Sequence, residues 1–212
     1  MVTQGANAKR RGRPPASDSA DTRRAILDNA RRLFCDGGYS GVTNKDLAEA
    51  AGITTGALYH YVDSKLDLYV MVDIDSQRFI YDRFRDAVRG CATFLEMFDK
   101  VLDAAAEMHE EDPSLTRFVG TVRADIRYHP EIADRLASQA REREEFFFGL
   151  VEVGIATGEI EDQDRELVTE FIRVVLTGLT MVSTSARRYR RSVDSIKSVM
   201  RGQLVEPVAD IG

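Results

Sequence analysis

Between Thr43 and Ser64 the chain is punctuated so closely that only short helices fit. Thr43 followed by Asp46 has the spacing of a capping box, in which a hydroxyl and a carboxylate satisfy the free N–H groups of a helix start. Ser64 followed by Asp67 repeats that spacing ahead of a much longer apolar pattern. Between them Gly52 ends the first short helix, and Thr54 or Thr55 can open a second. Leu47, Ala48 and Ala51 give the first short helix its apolar face. The pattern is helix, tight glycine turn, helix.

The flanks are helical too. Upstream, Asp21 is a plausible N-cap, and Ile26, Leu27, Ala30, Leu33 and Phe34 form one apolar face that Gly37-Gly38 stops. Downstream, the periodicity predicts helices near 65–89, 92–110, 114–128, 130–156, 163–188 and 192–204. Pro113 and Pro130 fall where a first-turn proline is tolerated, and Gly158 with the acidic run to Asp164 reads as a loop. No strand pattern and no short-period repeat occurs, so the expected class is all-α. The organisation expected over the 212 residues is an arm at 1–20, a three-helix helix-turn-helix domain at 21–66, and a larger helical domain at 67–212.

Hydrophobic content of 43% supports a core, and no stretch approaches the roughly 18 apolar residues of a membrane span. The N-terminus lacks the apolar region of a signal peptide. Cys35 and Cys91 sit in helical patterns, as small buried hydrophobes of a reducing compartment do, which points to the cytoplasm. The net charge of -6 is unevenly placed. Residues 1–35 carry eight Lys and Arg against three acids, a balance of +5, whereas residues 66–212 carry 19 against 28, a balance of -9. A basic end on an acidic body suggests that one part meets a polyanion.

The stretch "ITTGALYHYVDSK", residues 53–65, fits that polyanion. Leu58 and Val62 are four apart and must face the core, which points Thr55, Tyr59 and His60 away from it, with Ala57 and Tyr61 at the flank. A face of small, hydroxyl and aromatic-polar side chains buries little apolar area but suits a DNA groove, where hydroxyls meet base edges and Tyr or His donates to phosphates. Gly56 lets the backbone come close to an anion. The alternative is that Tyr59 and Tyr61 pack over the next helix. In the arm "KRRGRPP", Arg11-Gly12-Arg13-Pro14 resembles the AT-hook core, which lays arginines in a narrow minor groove. The alternative is a solvated tail giving only sequence-independent attraction.

Ala30, Leu33, Phe34, Gly38-Tyr39, Val42-Thr43, Asp46-Leu47-Ala48, Ala51-Gly52-Ile53-Thr54, Gly56, Leu58-Tyr59-His60-Tyr61 and Ser64-Lys65 together resemble the N-terminal domain of TetR-family transcriptional regulators. The resemblance covers roughly residues 21–68, with Asn44 where an apolar residue is usual and Val62 where phenylalanine is usual. It implies a homodimeric regulator, most often a repressor, that binds a double-stranded DNA operator and is released by a small effector. Carried over, the DNA contacts are Thr43, Asn44, Lys45, Thr54, Thr55, Gly56, Ala57, Tyr59, His60 and Tyr61, with Lys65 reaching a phosphate.

The resemblance also implies that the last two long helices pair with a second copy, and the stripe Leu167, Phe171, Val174, Val175, Leu179 and Val182 with Gly178 is the candidate. Two-fold symmetry would set the reading helices roughly 34–36 Å apart on a palindrome. An effector pocket is implied among the intervening helices, with Phe79, Phe94, Phe98, Phe118, Val122, Arg123, Ile126 and Phe147 as candidate lining and a largely apolar ligand. Ordinary core packing is the alternative for each. Arg123 and Arg127, four apart, are either a pair for an anionic ligand or solvated. In "EFFF", 145–148, aromatics surround a turn, so some face an interface or pocket. His60, His109 and His129 are far apart, and no metal, nucleophile or phosphate-cradling motif accompanies them, so no enzyme, metal or cofactor is expected. The rivals are a regulator controlled by a protein partner and a ligand-binding helical enzyme.

Overall fold

The structure is a computed structural model that describes residues 16–137, 140–182 and 185–204; within the helices the side chains of 16–19, 140, 142 and 182 are not described. Ten α-helices and one 3-10 turn follow one another with no strand among the described residues. They are α1 (Ala16–Gly41), α2 (Asn44–Ala50), α3 (Thr55–Leu58), α4 (Lys65–Ala87), α5 (Phe94–Glu111), α6 (Pro113–Asp125), α7 (Pro130–Leu136), α8 (Ala140–Thr157), α9 (Arg165–Val182) and α10 (Ala186–Met200). The expected helix at 130–156 is two helices, and that at 163–188 ends at Val182 before α10 begins. Helix α1 begins five residues before the expected cap at Asp21. The arm with Arg11 and Arg13 lies outside the described residues.

Local signals set the ends of the N-terminal elements. Thr43 Oγ1 accepts from the Asp46 N–H while Asp46 accepts from the Thr43 N–H, completing the capping box of α2. Thr54 caps α3 and Ser64 caps α4 through their hydroxyls. Gly38 breaks α1 with φ 66° and ψ 177°. The positive φ favours glycine, and a Cβ there would also crowd Asp125 Oδ1 at 3.3 Å.

The core falls into two apolar clusters. The first joins α1, α2, α3, the start of α4, and α6 and α7, around Phe34, Leu47, Leu58, Leu68, Phe118 and Ile132. The second joins the end of α4 to α5, α8, α9 and α10, around Phe84, Phe98, Leu102, Leu150, Ile172 and Val193. Helix α4 runs through both, and α6 lies against α1 on one side and α9 on the other. A Cβ on Gly120 would stand 3.1 Å from the Thr180 carbonyl oxygen, so glycine permits that close approach of α6 to α9.

On α9 the expected apolar stripe is displaced by part of a turn. Leu179 is buried at 3%, and Val175 is half-buried against the second cluster, so both belong to the chain's own core. The outward stripe is Leu167, Phe171, Val174 and Met181, with half-exposed Gly178 between the last two. The side chain of Val182 lies outside the described residues. On α8, Phe147 is buried and Phe148 is exposed, with the Arg165 guanidinium over its ring.

Tyr69 sits where α1, α4 and α6 meet. It is fully buried, with the rings of Phe34, Tyr39 and Phe118 at 4.8, 5.2 and 5.3 Å. Its hydroxyl donates to Asp125 Oδ2 at 2.7 Å, and the same oxygen accepts from the Tyr39 N–H at 2.8 Å. Burial first, then the Asp125 carboxylate, hold the Tyr69 phenol above its ordinary pKa, so it stays a proton donor. Tyr69→Phe removes a bond to a charged acceptor while keeping the ring. Urea denaturation is expected to show a loss of about 2 kcal/mol.

Candidate nucleic-acid interface and internal cavity

Helices α2 and α3 present the expected polar face. Leu58 and Val62 are buried, at 1% and 6%, and act as the pins that orient it. Opposite them Thr54, Gly56, Tyr59 and His60 are exposed, with Thr55 and Ala57 half-buried beside them. Helix α3 is a single turn, so Tyr59, His60 and Tyr61 lie in the turn that follows it. Tyr61 is half-buried against the first cluster, so of the two tyrosines it takes the packing role. Tyr59 is 48% exposed, and its hydroxyl accepts from Asn44 Nδ2 at 2.7 Å. That bond ties the start of α2 to the end of α3 and leaves the Tyr59 O–H free to donate outward. Thr43 and Lys45 are exposed at the start of α2, and the Thr43 hydroxyl is occupied by Asp46 at 2.7 Å.

Lys65 departs from expectation. Its Nζ donates to the carbonyls of Tyr39 at 2.8 Å and Val42 at 3.0 Å and stands 4.4 Å from the centre of the Tyr39 ring. Two of its three N–H groups are therefore spent on the α1–α2 corner rather than on an external anion. Sequence spacing could not reveal this, because the acceptors are more than twenty residues away.

A cavity of about 220 Å³ opens between α4, α5, α6, α8 and α9. Of the expected lining, Val122, Arg123, Ile126 and Phe147 are there. Phe118 is instead fully buried against Tyr69, Phe94 and Phe98 stack on each other in the second cluster, and Phe79 points outward over the α1–α4 groove. Arg127 is exposed and does not reach the cavity. Asp73, Gln77, Tyr81, Arg143, Arg173 and Tyr189 line it and were not foreseen. The signal for Asp73 was present: an acid at a core position of α4, between Tyr69 and Ile80. Burial holds its carboxyl above the ordinary carboxylate range, and burial pushes the Tyr81 phenol up to about 12.

Helix α6 serves both places. Val122 and Arg123 line the cavity, and Asp125 holds the Tyr39 N–H and the Tyr69 hydroxyl. Thr121 donates to the Cys35 carbonyl at 3.3 Å, and Arg117 pairs with Asp36 at 2.8 Å. From the other side Arg31, buried at 5%, reaches Ser114 and Asp112 at 3.0 and 2.7 Å. After α6, His129 approaches Ser40 at 2.7 Å and packs edge-on to Tyr39.

The N-terminal helices and the fold have counterparts among known proteins. Residues 26–72 match the domain of the bacterial regulatory proteins of the tetR family. The HTH-type transcriptional repressor KstR2 of Rhodococcus jostii is 28% identical over 173 residues, covering 76% of this chain and 80% of that protein. The fold is similar to that of GusR of Salmonella enterica, with TM-score 0.70 and 23% identity over 87% of this chain and 95% of that one. It is also similar to AibR, solved with isovaleryl coenzyme A and operator DNA, with TM-score 0.68 and 16% identity over 84% of this chain and 97% of that one.

If Lys65 is a strut, Lys65→Met leaves two carbonyls without their donor, and urea denaturation is expected to show a loss of about 1–3 kcal/mol. A purely DNA-facing lysine would leave stability unchanged within about 0.5 kcal/mol.

Proposed function

This chain belongs to the TetR family of transcriptional regulators, and we propose that it represses transcription by binding a palindromic operator as a homodimer, which a small effector releases. The observation that carries the reading is the face of Thr54, Thr55, Gly56, Ala57, Tyr59 and His60, exposed or half-buried while Leu58 and Val62 are buried beneath it. Its hydroxyls and rings suit base edges and phosphates. Thr43, Asn44 and Lys45 stand beside it, and the N-terminal arm with Arg11 and Arg13 adds charge for the same partner. The protein acts in the cytoplasm and has no catalytic role.

The dimer interface is the outward stripe of α9 together with Phe148 of α8. Leu167, Phe171, Val174 and Met181 are 70%, 41%, 60% and 64% exposed and recur at helical spacing. A contiguous apolar face of this kind on a soluble chain marks an interaction surface. A second copy related by a two-fold axis covers it and sets the spacing of the two reading faces.

Effector binding in the cavity acts through α6. A ligand that pushes Val122 and Arg123 shifts Asp125, and with it the Tyr39 and Tyr69 contacts that place α1 and α4 beneath the DNA face. The affinity lost on DNA then equals the coupling free energy between the two sites.

Selection of genomic fragments by the full chain, followed by footprinting at near-physiological salt, is expected to yield a protected palindrome with half-sites one turn apart. Diffuse, salt-sensitive binding alone would sink the reading. On the selected operator, Asn44→Ala and Tyr59→Ala are each expected to weaken binding about tenfold, roughly one good base or phosphate contact. Because the two side chains share a hydrogen bond, the double variant should lose less than the sum. Leu167→Glu with Val174→Glu is expected to give monomers by light scattering and to abolish the palindromic footprint, with the helical content kept.

A further inference from the structure

We infer that the effector is an amphipathic anion whose acidic group sits between Arg123 and Arg143 at the cavity mouth, with its apolar body against Phe84, Phe147 and Leu176. This rests on the reading above that the cavity holds the effector.

The charged residues lining the cavity, among those described, are Asp73, Arg123, Arg143 and Arg173. Arg173 is paired with Glu170 at 2.9 Å. Arg123 and Arg143 make no hydrogen bond or ion pair among the described residues. Asp73 does not match them. It is 1% exposed, accepts from Gln77 at 3.3 Å, and burial holds it towards its neutral form. Among the described residues, two guanidiniums thus share one concavity with a single, largely neutralised acid. Burial, and next the repulsion of Arg143, lower the Arg123 guanidinium from its ordinary pKa, a crowding that a bound anion relieves. Guanidinium forks match carboxylate and phosphate oxygens in pairs.

Geometry orders the ligand. Arg123 and Arg173 are exposed on their outer sides, which puts positive charge at the mouth. Phe84, Phe147 and Tyr189 are buried and make the floor. A cavity of about 220 Å³ lies below the usual range of roughly 300–1,000 Å³ for ligand sites, so the apolar body is small and any bulky polar part projects outward. A free carboxylic acid and the phosphates of an acyl thioester offer the same chemistry to these arginines.

The test measures binding to the full chain by titration calorimetry. The probes are hexanoate, phenylacetate, hexanoyl-coenzyme A and phenylacetyl-coenzyme A, with hexanamide, phenylacetamide and coenzyme A alone as controls. At least one anion is expected to bind tenfold or more tighter than its amide. Arg123→Met and Arg143→Met should each lose tenfold or more of that affinity, and Arg123→Lys should keep most of it. The ligand-free melting temperature of the methionine variants should equal or exceed that of the parent, since a repulsion is removed. Acids binding by themselves identify a carboxylate ligand, and thioesters alone identify a phosphate-bearing one. Amides binding as tightly as acids, or none of the four anions binding, overturns the inference. Operator binding, read separately by anisotropy, tells the two readings apart: a chain that binds anions but no operator sinks the regulator reading alone, and one that binds its operator but no anion sinks this inference alone.

Discussion

One carboxylate oxygen ties three helices together. Asp125 Oδ2, on the last turn of α6, accepts both from the backbone of Tyr39 and from the hydroxyl of Tyr69. The first bond fixes the corner at the end of α1, and the second fixes α4 within the first apolar cluster. Glycine at Gly38 suits the turn's φ of 66°, and a Cβ there would crowd this carboxyl at 3.3 Å. A charge-assisted bond inside an aromatic ring cluster is worth more than a surface pair, because water competes poorly there. The position of the α2–α3 face is therefore a consequence of where α6 places Asp125.

That constraint explains why α6 can serve two sites. Residues 122 and 123 face the cavity, while Thr121 and Asp125 face α1, so one rigid element carries both sets of contacts. The Arg31 bonds to Asp112 and Ser114 anchor the other end of α6, close to its first turn. With both ends tied to α1, α6 cannot move locally without moving the N-terminal helices. In the proposed mechanism an effector therefore needs only a modest difference in affinity between the two placements of α6. Couplings of about 1–3 kcal/mol are typical of such systems.

How much was legible in the sequence follows from the range of each interaction. The capping box at Thr43, the hydroxyl cap at Ser64, the break at Gly38 and the inward pair Leu58 and Val62 are local, and a pattern within eight residues reveals them. The carbonyl bonds of Lys65 are not legible in the sequence because its acceptors lie more than twenty residues away, at the α1–α2 corner. The α9 stripe is read only in part: Leu167, Phe171 and Val174 face outward, whereas Val175 and Leu179 turn to the chain's own core. Leu179 and Val174 are both apolar, and the neighbouring α6, α8 and α10 decide which is covered. The cavity fared worst. Phe118 and Tyr81 carry the same helical signal, and whether a ring fills space or borders it depends on the volume left by five other helices. The acid at Asp73, out of place in a core stripe, is a further clue to that cavity beside Val122, Arg123, Ile126 and Phe147.

The cavity is also where the chain departs from what stability alone favours. Packing a small hydrophobe at Asp73 and removing one arginine would relieve both the buried carboxyl and the guanidinium crowding. Natural chains keep such groups where they do something for a ligand. The charge at Arg123 and Arg143, unmatched among the described residues, is in this proposal an unfavourable free energy of the empty state. It is recovered when an anion arrives, so binding gains selectivity over neutral molecules of the same shape, which recover nothing. Placing one of the two guanidiniums, Arg123, on α6, two residues from Asp125, puts the relief of repulsion on the element that holds α1 and α4 together.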